Sequence, residues 1–269
     1  MERYRTSVAA RAGVMALILG AAFAVNAQAE TLALPELKDA AQAALLKEAN
    51  AEYQTYATAG DSYFKSDAAK GDWPCKIDAV QLNALAGITD YKSSAGGKEF
   101  GHAYSDVVIH PISAACKNGK LDGKVEFVYE ATRKAWGPGF ENSERELGKV
   151  TATLRKGKLK HRLEVRKASD VADAAKLLSV TASAEKPAGA FITSATVLLA
   201  DGAQKYFLKR PVAGKRLEKS FYIGTALVSV EQQDAKGNPD GSTLAYKDGQ
   251  ASKTCFKHGK PLDAGACGK

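Results

Sequence analysis

The chain has 269 residues, 45% hydrophobic, 25% charged and 8% aromatic, with 24 glycines, 8 prolines and a formal charge of +8. That balance belongs to ordinary globular protein and excludes collagen-like, low-complexity and wholly disordered classes. Past the N-terminus no apolar run approaches the roughly 18 residues of a membrane helix, so no transmembrane segment is expected in the mature chain.

The first element in chain order is an export signal. Arg3, Arg5 and Arg11 make a basic region, residues 12–25 an apolar stretch, and Ala27-Gln28-Ala29 a small-x-small cleavage site. The pattern predicts a signal peptide over residues 1–29, cut after Ala29, and a periplasmic or secreted mature chain over 30–269. No cysteine adjoins the site, so no lipid anchor is expected. Losing three arginines and one glutamate lowers the charge from +8 to +6. A mixed Lys/Glu surface accounts for that value, and no nucleic-acid partner is expected. The densest basic run is Arg155, Lys156, Lys158, Lys160, His161, Arg162 and Arg166. It alternates with Leu159, Leu163 and Val165 and reads as the solvated face of a hairpin.

Residues 34–59 read as an amphipathic helix. Leu34, Leu37, Ala41, Ala44, Leu45 and Ala49 recur at helical spacing, Lys38, Asp39, Gln42, Lys47 and Glu48 form the polar face, and Gly60 is the stop. From about Cys75 onward, short Val, Ile, Phe, Tyr and Thr runs alternate with Gly and Asn turns. Residues 107–112 and 124–132 read as strands around Asn118-Gly119, with Val125, Phe127 and Tyr129 on one face. Residues 149–155 and 158–166 form a second hairpin around Lys156-Gly157. Residues 169–179 read as a short helix capped by Ser169, with Val171, Ala174, Ala175 and Leu178 inward. Residues 190–199 and 204–209 flank a turn at Asp201-Gly202. Residues 219–230 and 242–246 are strands joined by the turn-rich stretch 234–241. The fold class is therefore mostly β, an antiparallel meander or sandwich, with an N-terminal amphipathic helix and one short additional helix. The mature chain reads as one domain, with a possible subdivision near 183–189.

Four cysteines, Cys75, Cys116, Cys255 and Cys267, read as two disulfides in an exported protein. Three connectivities exist. Cys75–Cys116 with Cys255–Cys267 closes the shortest loops and is preferred.

Cys116-Lys-Asn-Gly-Lys-Leu-Asp-Gly123 echoes residues 255–263, and Gly241-Ser-Thr-Leu-Ala-Tyr246-Lys-Asp-Gly249 repeats the rhythm of an aromatic, a polar pair and glycine. These pieces, roughly residues 114–129 and 241–263, resemble MORN-type repeats. The resemblance implies an extended antiparallel sheet used for contacts and no catalytic residues.

Gly60-Asp61-Ser62 is similar to the nucleophile block of GDSL-type esterases, but no Asp-x-x-His occurs in the final third of the chain. A serine without a base is inert at neutral pH, so Ser62 reads as a helix-end residue. His102 and His110 share a face, with Asp106 midway, if their segment is one regular strand. Four residues of strand span roughly 13 Å, too far for a shared metal ion. The 234–241 stretch places Lys236 and Lys247 where a calcium loop needs acids. No cofactor and no metal are expected. Trp136-Gly137-Pro138-Gly139-Phe140 is the most distinctive aromatic cluster, and Trp136 and Phe140 are the candidate binding residues. Glu141, Glu144 and Glu146 follow it and are the alternative, as catalytic carboxylates of a glycan-acting hydrolase. The sequence thus points to an exported binding or assembly module, without catalytic activity, for a protein partner or an envelope polymer. Expressed with its leader in a Gram-negative host, the protein is expected to yield Glu30 as first residue on N-terminal sequencing of the periplasmic fraction; an intact N-terminus overturns the signal-peptide reading.

Overall fold

The computed structural model describes residues 32–65, 73–95, 97–170, 175–185, 192–200, 203–214, 216–247 and 250–263. The expected signal peptide, Asp201-Gly202 and Cys267 lie outside the described residues. Thirteen strands are seen among them: β1 (Tyr91–Ala95), β2 (Lys98–Lys117), β3 (Lys120–Gly137), β4 (Phe140–Arg155), β5 (Lys158–Asp170), β6 (Ala175–Glu185), β7 (Ile192–Ala200), β8 (Ala203–Val212), β9 (Arg216–Ile223), β10 (Ala226–Gln233), β11 (Pro239–Lys247), β12 (Gln250–Lys257) and β13 (Lys260–Leu262). They form one antiparallel sheet in sequence order, every strand hydrogen-bonded to its chain neighbours. The turns explain the register. Asn118-Gly119, Lys156-Gly157 and His258-Gly259 all have positive φ at both positions, the type I′ geometry whose twist matches paired strands.

Helix α1 (Ala40–Ala59) lies on one face. It starts later than the periodicity predicts, because Asp39 caps it: its Oδ1 accepts from the Gln42 amide at 2.9 Å. Residues 32–37 instead run outside the helix, and Ala33 O accepts from the Tyr206 hydroxyl at 2.8 Å. Gly60, at φ 58°, ends the helix as expected and leads into a 3-10 turn over Gly60–Phe64. There the Ser62 hydroxyl donates to Ala59 O at 2.6 Å, the helix-end role expected of it. The buried stripe is Gln42, Leu45, Leu46 and Ala49. Ala41 and Ala44 are exposed, so the helix is rotated by about one residue from the expected face. Its partners are Val165, Val180, Ala182, Ala195, Val197, Tyr206 and Leu208, all almost fully buried.

A second, short helix, α2 (Ala79–Ala86), lies on the other face, between the Asp78 cap and Gly87 in the left-handed region. Leu85, Ala86 and Ile88 close a second core with Val125, Phe127, Tyr129, Val150, Ala152 and Leu154. Val125, Phe127 and Tyr129 share this buried face, as their alternation predicts. The segment before α2 is tied to β2 by the Cys75–Cys116 disulfide, one of the two preferred bonds. Cys255 is also disulfide-bonded.

Two expectations are corrected. Residues 169–179 do not form a helix: Ser169 and Asp170 end β5, and Ala175 begins β6. Residues 171–174 lie outside the described residues. Leu178, Val180, Ala182 and Ala184 face α1 in strict alternation, and that period-2 pattern wins over the weaker three- and four-residue spacing. Residues 219–230 are not one strand, because Gly224, at φ 54°, turns the chain between β9 and β10. Across the stretch 183–189, β6 and β7 pair from Leu177↔Ala200 to Glu185↔Ile192; residues 186–191 lie outside the described residues.

Tyr129 stands opposite Gly148, and its ring covers the space a Cβ there would need. Gly148→Ala is expected to lower stability by about 1–3 kcal/mol through overpacking. Leu262→Ala, at the exposed end of β13, should stay within about 0.5 kcal/mol. Urea midpoints of the two variants check this.

Candidate functional site

A cleft of about 500 Å³ opens where β1–β4 end beside the Pro138-Gly139 turn. The turn follows from its residues: proline fixes φ at the first central position and Gly139, at φ 83°, supplies the second. One row across the strands is Tyr91, His102, Ala135 and Asn142. The next row on the same face adds Phe100 and Phe140. Tyr91 stacks on His102 at 5.8 Å and leans on Phe100 at 6.3 Å. His102 meets Tyr104 edge-on at 5.7 Å, and its Nε2 lies 3.1 Å from Thr89 O. Tyr91 is 49% and Phe140 56% exposed, so the rings are held in place yet open to solvent.

Trp136 and Phe140 both line the cleft but belong to opposite faces. Trp136 pairs with Glu141, whereas Phe140 pairs with Gly137, and successive residues alternate. The Phe140 ring lies over Gly137; the half-buried Trp136 ring lies over Gly101. Arg133 and Asn142 supply the polar edge. Both are held by Glu144, whose Oε2 is 3.3 Å from Arg133 Nη1 and whose Oε1 accepts from Asn142 Nδ2 at 3.0 Å. Among the described residues the cleft lining contains no carboxylate.

The three glutamates are not brought together. Glu141 lies on the Trp136 face and bridges to Lys134 at 2.8 Å. Glu144 and Glu146 share the other face, both within 4 Å of Arg133. Glu146 is only 3% exposed. It joins a buried network that the sequence did not reveal. Arg166 Nη1 is 3.5 Å from Glu146, and Arg166 Nη2 is 3.0 Å from Glu164. Arg162 Nη2 is 2.9 Å from Glu164, and the Tyr129 hydroxyl donates to Glu164 at 3.0 Å. Arg166 also donates to Ala86 O at 3.2 Å, at the carbonyl end of α2. Arg162 and Arg166 are therefore not on a solvated hairpin face, as expected, but beneath α2. Their alternation with Leu163 and Val165 is real; both faces of β5 are covered.

Burial pushes the Glu146 carboxyl above the usual range, against the pull of Arg166 and Arg133. Burial opposes the Arg166 charge too, but Glu164, Tyr129 and Glu146 outweigh it and raise its pKa. The Tyr129 hydroxyl is raised by burial first and Glu164 second. These are paired groups in a closed interior.

The expected histidine face is also corrected. Asp106, at φ 52°, sits in a bulge between Ser105 and Val108. The slip puts His102 opposite Ala135 and His110 opposite Val128, on different faces. Among the described residues no three His, Cys, Asp or Glu side chains converge as metal ligands. In the stretch 234–241, the Asp234 carboxylate accepts from the Lys236 and Asn238 amides at 2.9 Å, closing a self-bonded loop. Tyr91, Phe100 and His102 were not singled out as binding residues in the sequence. The available signal was the alternation Phe100, His102, Tyr104.

The chain matches no family model, no curated protein and no solved structure at a significant level.

Glu146 carries a sign that can be tested. A raised folded pKa means the folded state holds more protons than the unfolded state, so its contribution to stability falls as pH rises through that window. The stability of the wild type minus that of Glu146→Gln is therefore expected to decrease from the ordinary carboxylate range upward. Urea unfolding of both proteins across the acid range measures the difference; a difference that increases over that range overturns the assignment.

Proposed function

We propose that this protein is an exported binding module of the cell envelope, and that the aromatic cleft beside the Pro138-Gly139 turn takes a glycan chain. One observation carries the reading: the cleft combines exposed rings with His102, Arg133 and Asn142 and, among the described residues, has no carboxylate in its lining. Rings offer flat apolar faces to the C–H faces of a sugar. Asn142 and Arg133 offer donors to its hydroxyls. Glu144 holds both donors, which reduces the ordering cost of binding. Export rests on the N-terminal pattern. The Cys75–Cys116 disulfide fits an oxidising compartment, and no helix among the described residues is long and apolar enough to cross a membrane. The MORN-like pieces fit the same role: the turns at Asn118-Gly119 and His258-Gly259 both close hairpins of the extended sheet.

The geometry gives less support to a hydrolase. Glu141 faces away from Glu144 and Glu146, and buried Glu146 is not among the residues that line the cleft and is paired with Arg166 and Arg133. General acid–base work at a glycosidic bond needs two carboxylates flanking the bond.

Purified, oxidised protein is expected to cosediment with peptidoglycan sacculi without releasing reducing ends. Phe140→Ala and Tyr91→Ala should each weaken retention about tenfold, a hot-spot-sized loss, with Trp136→Ala costing less. Retention unchanged in both ring variants, or capture only by an envelope protein, refutes the glycan reading. Release of reducing ends lost in Glu144→Gln would establish the hydrolase instead.

A further inference from the structure

A second pocket, of about 380 Å³, lies on the same sheet face as α2 but over β8–β10. Strand alternation places it. Tyr206 and Leu208 are buried against α1, so Phe207 and Lys209 point to the opposite face. Phe221 and Lys219 of β9 stand directly across from them. The two phenyl rings stack at 4.8 Å with 21° between their planes, and Phe207 is 39% exposed. Ser229 and Glu231 complete the rim.

Two features have no structural return. Like charges placed directly opposite on paired strands repel. Yet among the described residues neither Lys209 nor Lys219 has an ion-pair partner. Glu231, the next group in the row, instead accepts from Gln233 Nε2 at 2.7 Å. Desolvation lowers the Lys209 pKa and the Lys219 charge lowers it further. Beside this cationic pair lies an apolar surface left open to water. An anion carrying an apolar body would relieve both at once, and a pocket at the small end of the roughly 300–1,000 Å³ range of ligand sites limits that body to one short chain.

We propose that this pocket binds a medium-chain carboxylate, its head group between the ammoniums of Lys209 and Lys219 and its acyl chain on the Phe207–Phe221 pair. This site stands independently of the aromatic cleft. Isothermal calorimetry of the purified, oxidised protein with decanoate, decanol and acetate tests it. Decanoate is expected to bind, with decanol and acetate at least tenfold weaker. Lys209→Gln/Lys219→Gln should lose at least tenfold for decanoate and nothing for decanol, and Phe207→Ser should weaken both. No binding of decanoate, equal binding of decanoate and decanol, or full decanoate affinity in the double lysine variant overturns the proposal. The comparison of ligands on the wild type needs no variant to fold.

Discussion

Strand β5 has to satisfy two interiors at once, and the rest of the structure is arranged around that demand. Leu163 and Val165 pack toward α1, and Lys167 reaches the Asp61 carboxylate at 2.6 Å on the same side. Glu164 and Arg166, one residue out of step, lie beneath α2. A sheet strand with one wet face would need only one apolar set. Here both faces are closed where the two helices overlap, so the strand carries hydrocarbon on one side and paired charge on the other.

The choice of paired charge under α2 has a cost and a use. Taking ions out of water is unfavourable unless the partners are close and hydrogen-bonded. Glu164 and Arg166 meet that condition, hydrogen-bonded to each other and, for Glu164, to Tyr129; Glu146 and Arg162 are held by ion pairs alone, and Glu146 Oε2 and Arg162 Nε have no hydrogen-bond partner among the described residues. The use is orientation. Arg166 donates to the last carbonyl of α2, which an apolar residue cannot do. Arg133 extends the network to Glu144, and Glu144 in turn holds Asn142 at the cleft. The aromatic cleft and the helix seat are thus connected through one run of charged groups on β3, β4 and β5.

The alternation of Val125, Phe127 and Tyr129 and the Asn118-Gly119 turn made the sheet legible, because period and turn chemistry are local properties. What was not legible depended on tertiary partners. The stretch 169–179 contains both helical and strand spacing, and only the surface of α1 decides between them. The bulge at Asp106 inverts the face of every residue before it, and nothing in the surrounding residues announces a non-glycine in the left-handed region. Arg162 and Arg166 looked like any charged strand face, since burial of a charge is a property of what covers it. At the site, Phe140 was legible because the Pro-Gly turn exposes it. Tyr91 and His102 were not, because they join it from strands far away in the chain, and Trp136 was assigned to the same surface although alternation turns its ring to the other side.

The sequence-ordered sheet also sets a timetable for assembly. Each ladder joins adjacent strands, so most pairings close short loops at small entropic cost and hairpins form independently of one another. The N-terminal segment is the exception. Its hydrogen bond from Tyr206 to Ala33 spans 173 residues, and the surface that receives α1 runs from Val165 to Leu208. A chain that emerges N-terminus first therefore carries Leu45, Leu46 and Ala49 uncovered until β8 has arrived, which makes α1 the segment that a holding chaperone would meet first and release last.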